Sequence, residues 1–164
     1  MKKVILVFIM FFVMSSTSFA DSNVYITQSG ASLDLDITLD GNGNAVGASN
    51  DRTLLTGANL DVDIDLIGAT NTITGDFIGA GESGSDDLKI SQTGSTNTTA
   101  INVGASAATD DVKILETRVG SSGATSYTIG SSATVQDVSV TVDVIGDDID
   151  IAITENSSSS GSDK

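Results

Sequence analysis

Apolar and polar residues alternate along most of this chain, most regularly through Leu88-Lys89-Ile90-Ser91-Gln92. A glycine follows at Gly94, and alternation resumes after Asn97 towards Ile101-Asn102-Val103. Period-two alternation is the mark of a strand with one buried face. The same strand–glycine–strand unit recurs with junction glycines at Gly30, Gly68, Gly94, Gly120 and Gly146, spaced by 38, 26, 26 and 26 residues. Six residues before each glycine stand Val24, Val62, Leu88, Ile114 and Val140, and two before it stand Gln28, Leu66, Gln92, Arg118 and Val144. After it, the odd positions are the inward ones. Five on are Leu35, Ile73, Thr99, Thr125 and Ile151, and seven on are Ile37, Gly75, Ile101, Tyr127 and Ile153.

A constant period of this length marks a repeat architecture in which each unit buries its face only against its neighbours. The predicted fold is all-β, a β-solenoid of about five two-strand coils with a 26-residue period over residues 21–155. Stacked at strand spacing it would stand about 24 Å tall. An antiparallel β-sandwich is the competing arrangement, but it gives no reason for a fixed period. Two irregularities need local explanations. The first spacing of 38 implies an insertion of about twelve residues, from Asn42 to Thr53, read as a loop. In the fourth unit, Glu116 and Arg118 fall on inward positions, where unpaired charge is costly. A one-residue bulge would turn Leu115, Thr117 and Val119 inward in their place.

Composition adds an address. Lys2 and Lys3 precede an apolar run from Val4 to Met14, and Ser18-Phe19-Ala20 supplies small residues for cleavage, so residues 1–20 read as a secretory signal peptide. No second apolar run approaches membrane-spanning length, and residues 156–164 form a serine-rich tail expected to be disordered. The 164-residue chain carries a net charge of −15. Removing Lys2 and Lys3 leaves five basic residues against 22 acidic ones, or −17 over 144 residues. Nucleic acid and anionic membranes are poor partners for such a surface. Cysteine, histidine, proline and tryptophan are absent. Stability therefore has to come from packing, backbone hydrogen bonds or assembly rather than disulfides.

The absence of histidine and cysteine removes the common nucleophile–base pairs, and no enzymatic activity is expected. Inward Gln28, Gln92, Asn71 and Asn97 are read as structural amides, stacked at coil spacing and bonded to each other and to the bend backbone. Alternating aspartates such as Asp61, Asp63 and Asp65 read as a solvated outer face, with Asp63 beside Lys89 and Asp87 beside Lys113 in neighbouring coils. No cofactor is expected. The one candidate for Ca²⁺ is Asp40, Asn42, Asn44 and Asp51, at positions 1, 3, 5 and 12 of an EF-hand-like loop. Ala45 stands where that loop uses glycine, and no helices flank it.

Gln92-x-Gly94-x-x-Asn97, preceded by Ile90-Ser91 and followed by Ile101, resembles the curlin repeat of curli amyloid subunits. Gln28-x-Gly30 keeps the first half of the motif and Gly68-x-x-Asn71 the second. The resemblance implies stacked strand–bend–strand coils and a secreted subunit that polymerises with itself, end to end, into amyloid-like fibres of an extracellular or biofilm matrix. The alternative is a monomeric acidic solenoid serving as a Ca²⁺-binding or adhesive surface module. For a fibre, like charge at both ends (Asp34, Asp36 and Asp40 against Asp143, Asp147, Asp148 and Asp150) predicts assembly that is slow at neutral pH in low salt and faster in acid.

Overall fold

A computed structural model describes residues 21–30, 32–48, 52–57, 59–79, 86–104, 109–130 and 135–155. The signal segment, the serine-rich tail and Asp51 lie outside these residues. Among the described residues there are thirteen strands and no helix: β1 (Ser22–Val24), β2 (Thr27–Ser29), β3 (Leu33–Asp40), β4 (Gly43–Val46), β5 (Thr53–Gly57), β6 (Leu60–Ile67), β7 (Thr70–Gly79), β8 (Asp86–Thr93), β9 (Thr96–Val103), β10 (Thr109–Val119), β11 (Ser122–Ile129), β12 (Val135–Ile145) and β13 (Asp148–Glu155). Among those residues, therefore, no helix is long and apolar enough to cross a membrane.

The chain is a parallel β-solenoid of about four turns. One sheet runs β3-β6-β8-β10-β12. The other runs β1-β4-β7-β9-β11-β13, with β2 and β5 continuing the rungs begun by β1 and β4. Every ladder is parallel, as successive coils require, and no hairpin pairs neighbouring strands. The antiparallel sandwich is thereby excluded. Both sheets present alternate side chains to a shared core, where Val62, Leu66, Phe77, Leu88, Ile114 and Val103 are almost wholly buried. Burying one such side chain contributes about 1.5–3 kcal/mol.

The register changes the start of the chain. Leu33, Leu35, Ile37 and Leu39 pair with Leu60, Val62, Ile64 and Leu66. They belong before a junction glycine, not after one, and that glycine is Gly41 rather than Gly30. Gly41, Gly68, Gly94, Gly120 and Gly146 form one column, in which the amide of each of the first four donates to the carbonyl of the residue preceding the next glycine, as from Gly68 to Thr93 at 2.9 Å. Only glycine fits here. A Cβ on Gly94 would sit 2.0 Å from the Gly68 carbonyl oxygen, and one on Gly120 would sit 2.1 Å from that of Gly94. Gly30 lies at another corner, donating to Thr56 at 3.0 Å beneath Gly57.

The expected twelve-residue loop also shrinks. Gly43–Val46 is β4 and Thr53–Gly57 is β5, both laid on β7, so the extra residues lie only between Val46 and Thr53. Gly47 opens this excursion with φ of 73°, and its amide donates to the Val24 carbonyl at 2.8 Å. Arg52 closes it, its Nε 2.7 Å from Asp76 Oδ1. Nor does the bulge fall where the sequence suggested. Glu116 and Arg118 keep register with Ile90 and Gln92 and point inward, while Leu115 and Val119 are exposed. The irregular residues are Asp111 and Asp137, at equivalent points of β10 and β12, with φ of 51° and 46°. Aspartate tolerates that conformation better than most residues.

Candidate functional site

Two sets of buried polar side chains sit in the core. The first lines the bends. The Asn44 amide nitrogen donates to Asn71 Oδ1 at 3.0 Å and to the Ile67 carbonyl at 2.9 Å. Asn71 repeats this one rung on, to Asn97 Oδ1 at 2.9 Å and the Thr93 carbonyl at 3.0 Å. Asn97 donates to the Val119 carbonyl at 3.1 Å. Each amide uses both hydrogens on neighbouring groups, which is the satisfaction a buried amide needs. The ladder stops at Gly123, the next position in the column, and Arg118 takes over. Its guanidinium donates to the Asn97 carbonyl at 3.3 Å and the Gly123 carbonyl at 3.4 Å.

Of the four amides read from the sequence, the structure brings Asn71 and Asn97 together. Gln28 and Gln92 are in different sheets: Gln28 faces Leu55, whereas Gln92 lies between Leu66 and Arg118. Asn44 is the ladder member that sequence reasoning placed elsewhere, among metal ligands. The signal was present in Gly41-x-x-Asn44, which matches Gly68-x-x-Asn71 and Gly94-x-x-Asn97 once Gly41 is taken as the junction. Of the candidate Ca²⁺ ligands, Asp51 lies outside the described residues. Asp40 and Asn42 are exposed, while Asn44 is buried with its amide nitrogen committed to the ladder. Among the described residues no group of three or more acidic side chains is placed to hold a metal ion.

The second set is the charged centre. Glu116 is 0% and Arg118 2% exposed. The Glu116 carboxylate accepts from Thr99 Oγ1 at 2.8 Å, Thr125 Oγ1 at 3.1 Å and the Tyr127 hydroxyl at 2.9 Å. Thr125 in turn accepts from Arg118 at 2.8 Å, so one hydroxyl relays between the two charges. Thr99 Oγ1 also lies 3.2 Å from Gln92 Oε1, and Gln92 Nε2 donates to the Thr98 carbonyl at 3.3 Å. Burial, and then the neighbouring carboxylate, push the Tyr127 phenol far above its ordinary range and hold it neutral. Charge in a core is tolerable on these terms, with every oxygen met by a donor and the opposite charge one hydroxyl away.

Outside the core, Lys89 sits 3.3 Å from Asp63 and 3.5 Å from Asp61 across rungs of the exposed aspartate face. The hydrogen bond to Asp63 and the charge of Asp61 raise its pKa. The surrounding trough, lined by Asp36, Thr38, Asp65 and Ser91 among others, is open and solvated.

No protein-family model, curated protein or solved structure matches this chain. Its fold and core define a parallel β-solenoid with an asparagine-laddered bend and a charged centre.

Proposed function

We propose that this chain is a secreted structural protein, curlin-like in its stacked strand–bend–strand coils, whose copies add end to end into extracellular amyloid-like fibres. One observation carries the reading. In β13 the side chains that continue the buried columns have nothing over them among the described residues: Ile149, Ile151 and Ile153 are 38%, 44% and 49% exposed. Val138, Val140 and Val142 in β12 are only partly buried for the same reason. Solenoids that stay monomeric need a polar cap over such a rung, and β13, the last strand of its sheet, has none among the described residues. At the other end, Val24 lies in the column of Ile151, with Ile26 packed partly buried behind it. An incoming copy laying β1 along β13 would set Val24 on Ile151.

Such a junction softens the like-charge clash expected from the sequence. The column of Asp150 ends in Asn23, and only Asp148 meets an aspartate, Asp21, at its far end. Electron microscopy of the purified chain from residue 21 is expected to show unbranched fibres, and preformed fragments are expected to seed them. Thioflavin-T lag times are expected to shorten modestly in added salt, which screens the Asp148–Asp21 pair. Ile151→Lys should leave the monomer folded and stop growth. A wild-type chain that stays monomeric at high concentration would sink the reading.

A further inference from the structure

With no cysteine, this chain has no disulfide with which to tie its two sheets together. It does hold a buried hydroxyl, a buried carboxamide and a buried carboxylate in contact. Thr99 Oγ1, on β9, is 2.8 Å from Glu116 Oε1 and 3.2 Å from Gln92 Oε1, on β8. All three side chains are essentially inaccessible to water. A threonine hydroxyl has one hydrogen and here two acceptors. The shorter, charge-assisted bond to Glu116 takes it, which leaves the oxygen lone pairs facing the Gln92 amide. The bond from Gln92 Nε2 to the Thr98 carbonyl fixes the amide with its oxygen towards Thr99. Thr125 differs, because its lone pair already accepts from Arg118.

We infer that Gln92 and Thr99 become joined by an ester bond that the folded chain forms on itself. Glu116 removes the Thr99 hydroxyl proton as Oγ1 bonds to the Gln92 side-chain carbonyl carbon. Negative charge collects on Oε1, in the same buried column as the Arg118 guanidinium. The carbon–nitrogen bond then breaks, and Nε2 leaves as ammonia with the proton returned by Glu116. One hydroxyl and one carboxamide become one ester and one ammonia, Glu116 is regenerated, and no co-reactant is needed. Nucleophile, base and electrophile are fixed by packing before reaction, the arrangement that makes intramolecular acyl transfer fast, and exclusion of water protects the ester once formed. The bond would cross Gly94 and tie the two sheets at mid-stack.

Intact-mass measurement on the folded, purified chain tests this directly. The expected mass is that of the sequence less one ammonia. The tryptic peptide from Ile90 to Lys113 should carry the whole deficit and give no backbone fragments between Gln92 and Thr99, since one cleavage inside a closed ring releases nothing. Hydroxylamine should open the ring and leave a hydroxamate at position 92. Thr99→Val, which keeps the shape and removes the hydroxyl, should restore the full mass, as should Glu116→Gln. Thr99→Ser should keep the deficit. A folded wild-type chain at full sequence mass overturns the inference. So does a deficit that survives Thr99→Val with normal fragmentation between Gln92 and Thr99, the signature of a succinimide at Asn97.

Discussion

The bends and the central rungs both bury polar side chains, and they satisfy them by opposite means. At the bends, Asn44, Asn71 and Asn97 repeat one residue type, and the first two each donate to their own kind on the next rung. In the centre no residue repeats. Glu116 and Arg118 stand where the rungs on one side carry Ile90 and Gln92 and those on the other carry Val142 and Val144. They are held by Thr99, Thr125 and Tyr127 from the opposite sheet. A ladder needs only register, because one neutral amide resembles the next. The charged centre needs a particular set of partners assembled once, so losing one member strands the others. Register thus sets where a side chain points, and partners decide which polar side chains a buried position accepts.

The contrast should break most violently at Arg118. Arg118→Met leaves the Glu116 carboxylate without its balancing charge and is expected to cost about 3–5 kcal/mol in urea unfolding. Adding Glu116→Gln should recover part of that loss, since the second change removes the stranded charge. Full additivity of the two would mean that Arg118 and Glu116 are not coupled.

Alkaline titration probes the same centre more gently. The Tyr127 pKa is raised in the folded state, so its contribution is fully present below the unfolded phenol value near pH 10 and is lost as pH rises. Stability should fall by about 1.4 kcal/mol per pH unit above that point. Tyr127→Phe should start less stable at neutral pH, having taken a donor from Glu116, and should decline less steeply in alkali, as followed by circular dichroism.

The ladder should respond less. Asn71→Ala leaves the Thr93 carbonyl and Asn97 Oδ1 short of donors, and about 2 kcal/mol should be lost. Because the amides donate in one direction, Asn44 Oδ1 at the far end is buried with no partner. Ser22 lies next in that column and is too short to bridge it. Ser22→Asn should add a rung and raise stability by about 1 kcal/mol. No gain would mean that Asn44 Oδ1 is already satisfied by solvent.

How much of this was legible from sequence depended on what alternation can report. Columns such as Val62, Leu88 and Ile114 carry the inward face, and they stand aligned and buried in the structure as read. Gly30 misled because its upstream alternation, Val24-x-Ile26-x-Gln28, copies the pattern of the other units while belonging to the other sheet. Alternation tells in from out and cannot tell one sheet from the other. Gly-x-x-Asn could, since it ties a glycine that must lie under a carbonyl to an amide that caps the same bend. The charged centre was hidden for a different reason. Its partners are distant in sequence, and alternation reports of Thr125 and Tyr127 only that they point inward.

Every ladder in this molecule runs in the same sense, which bears on the symmetry open to its assemblies. A rod whose strands all point one way has two unlike ends, β1 to β3 at one and β12 and β13 at the other. Two copies joined through a two-fold axis would have to bring identical ends together, and that cannot continue a parallel ladder. A contact that does continue it is heterologous and satisfies neither outer end. Association of this kind has no closed product, so the number of copies must be limited from outside the contact, by supply, by breakage or by a different molecule over β13.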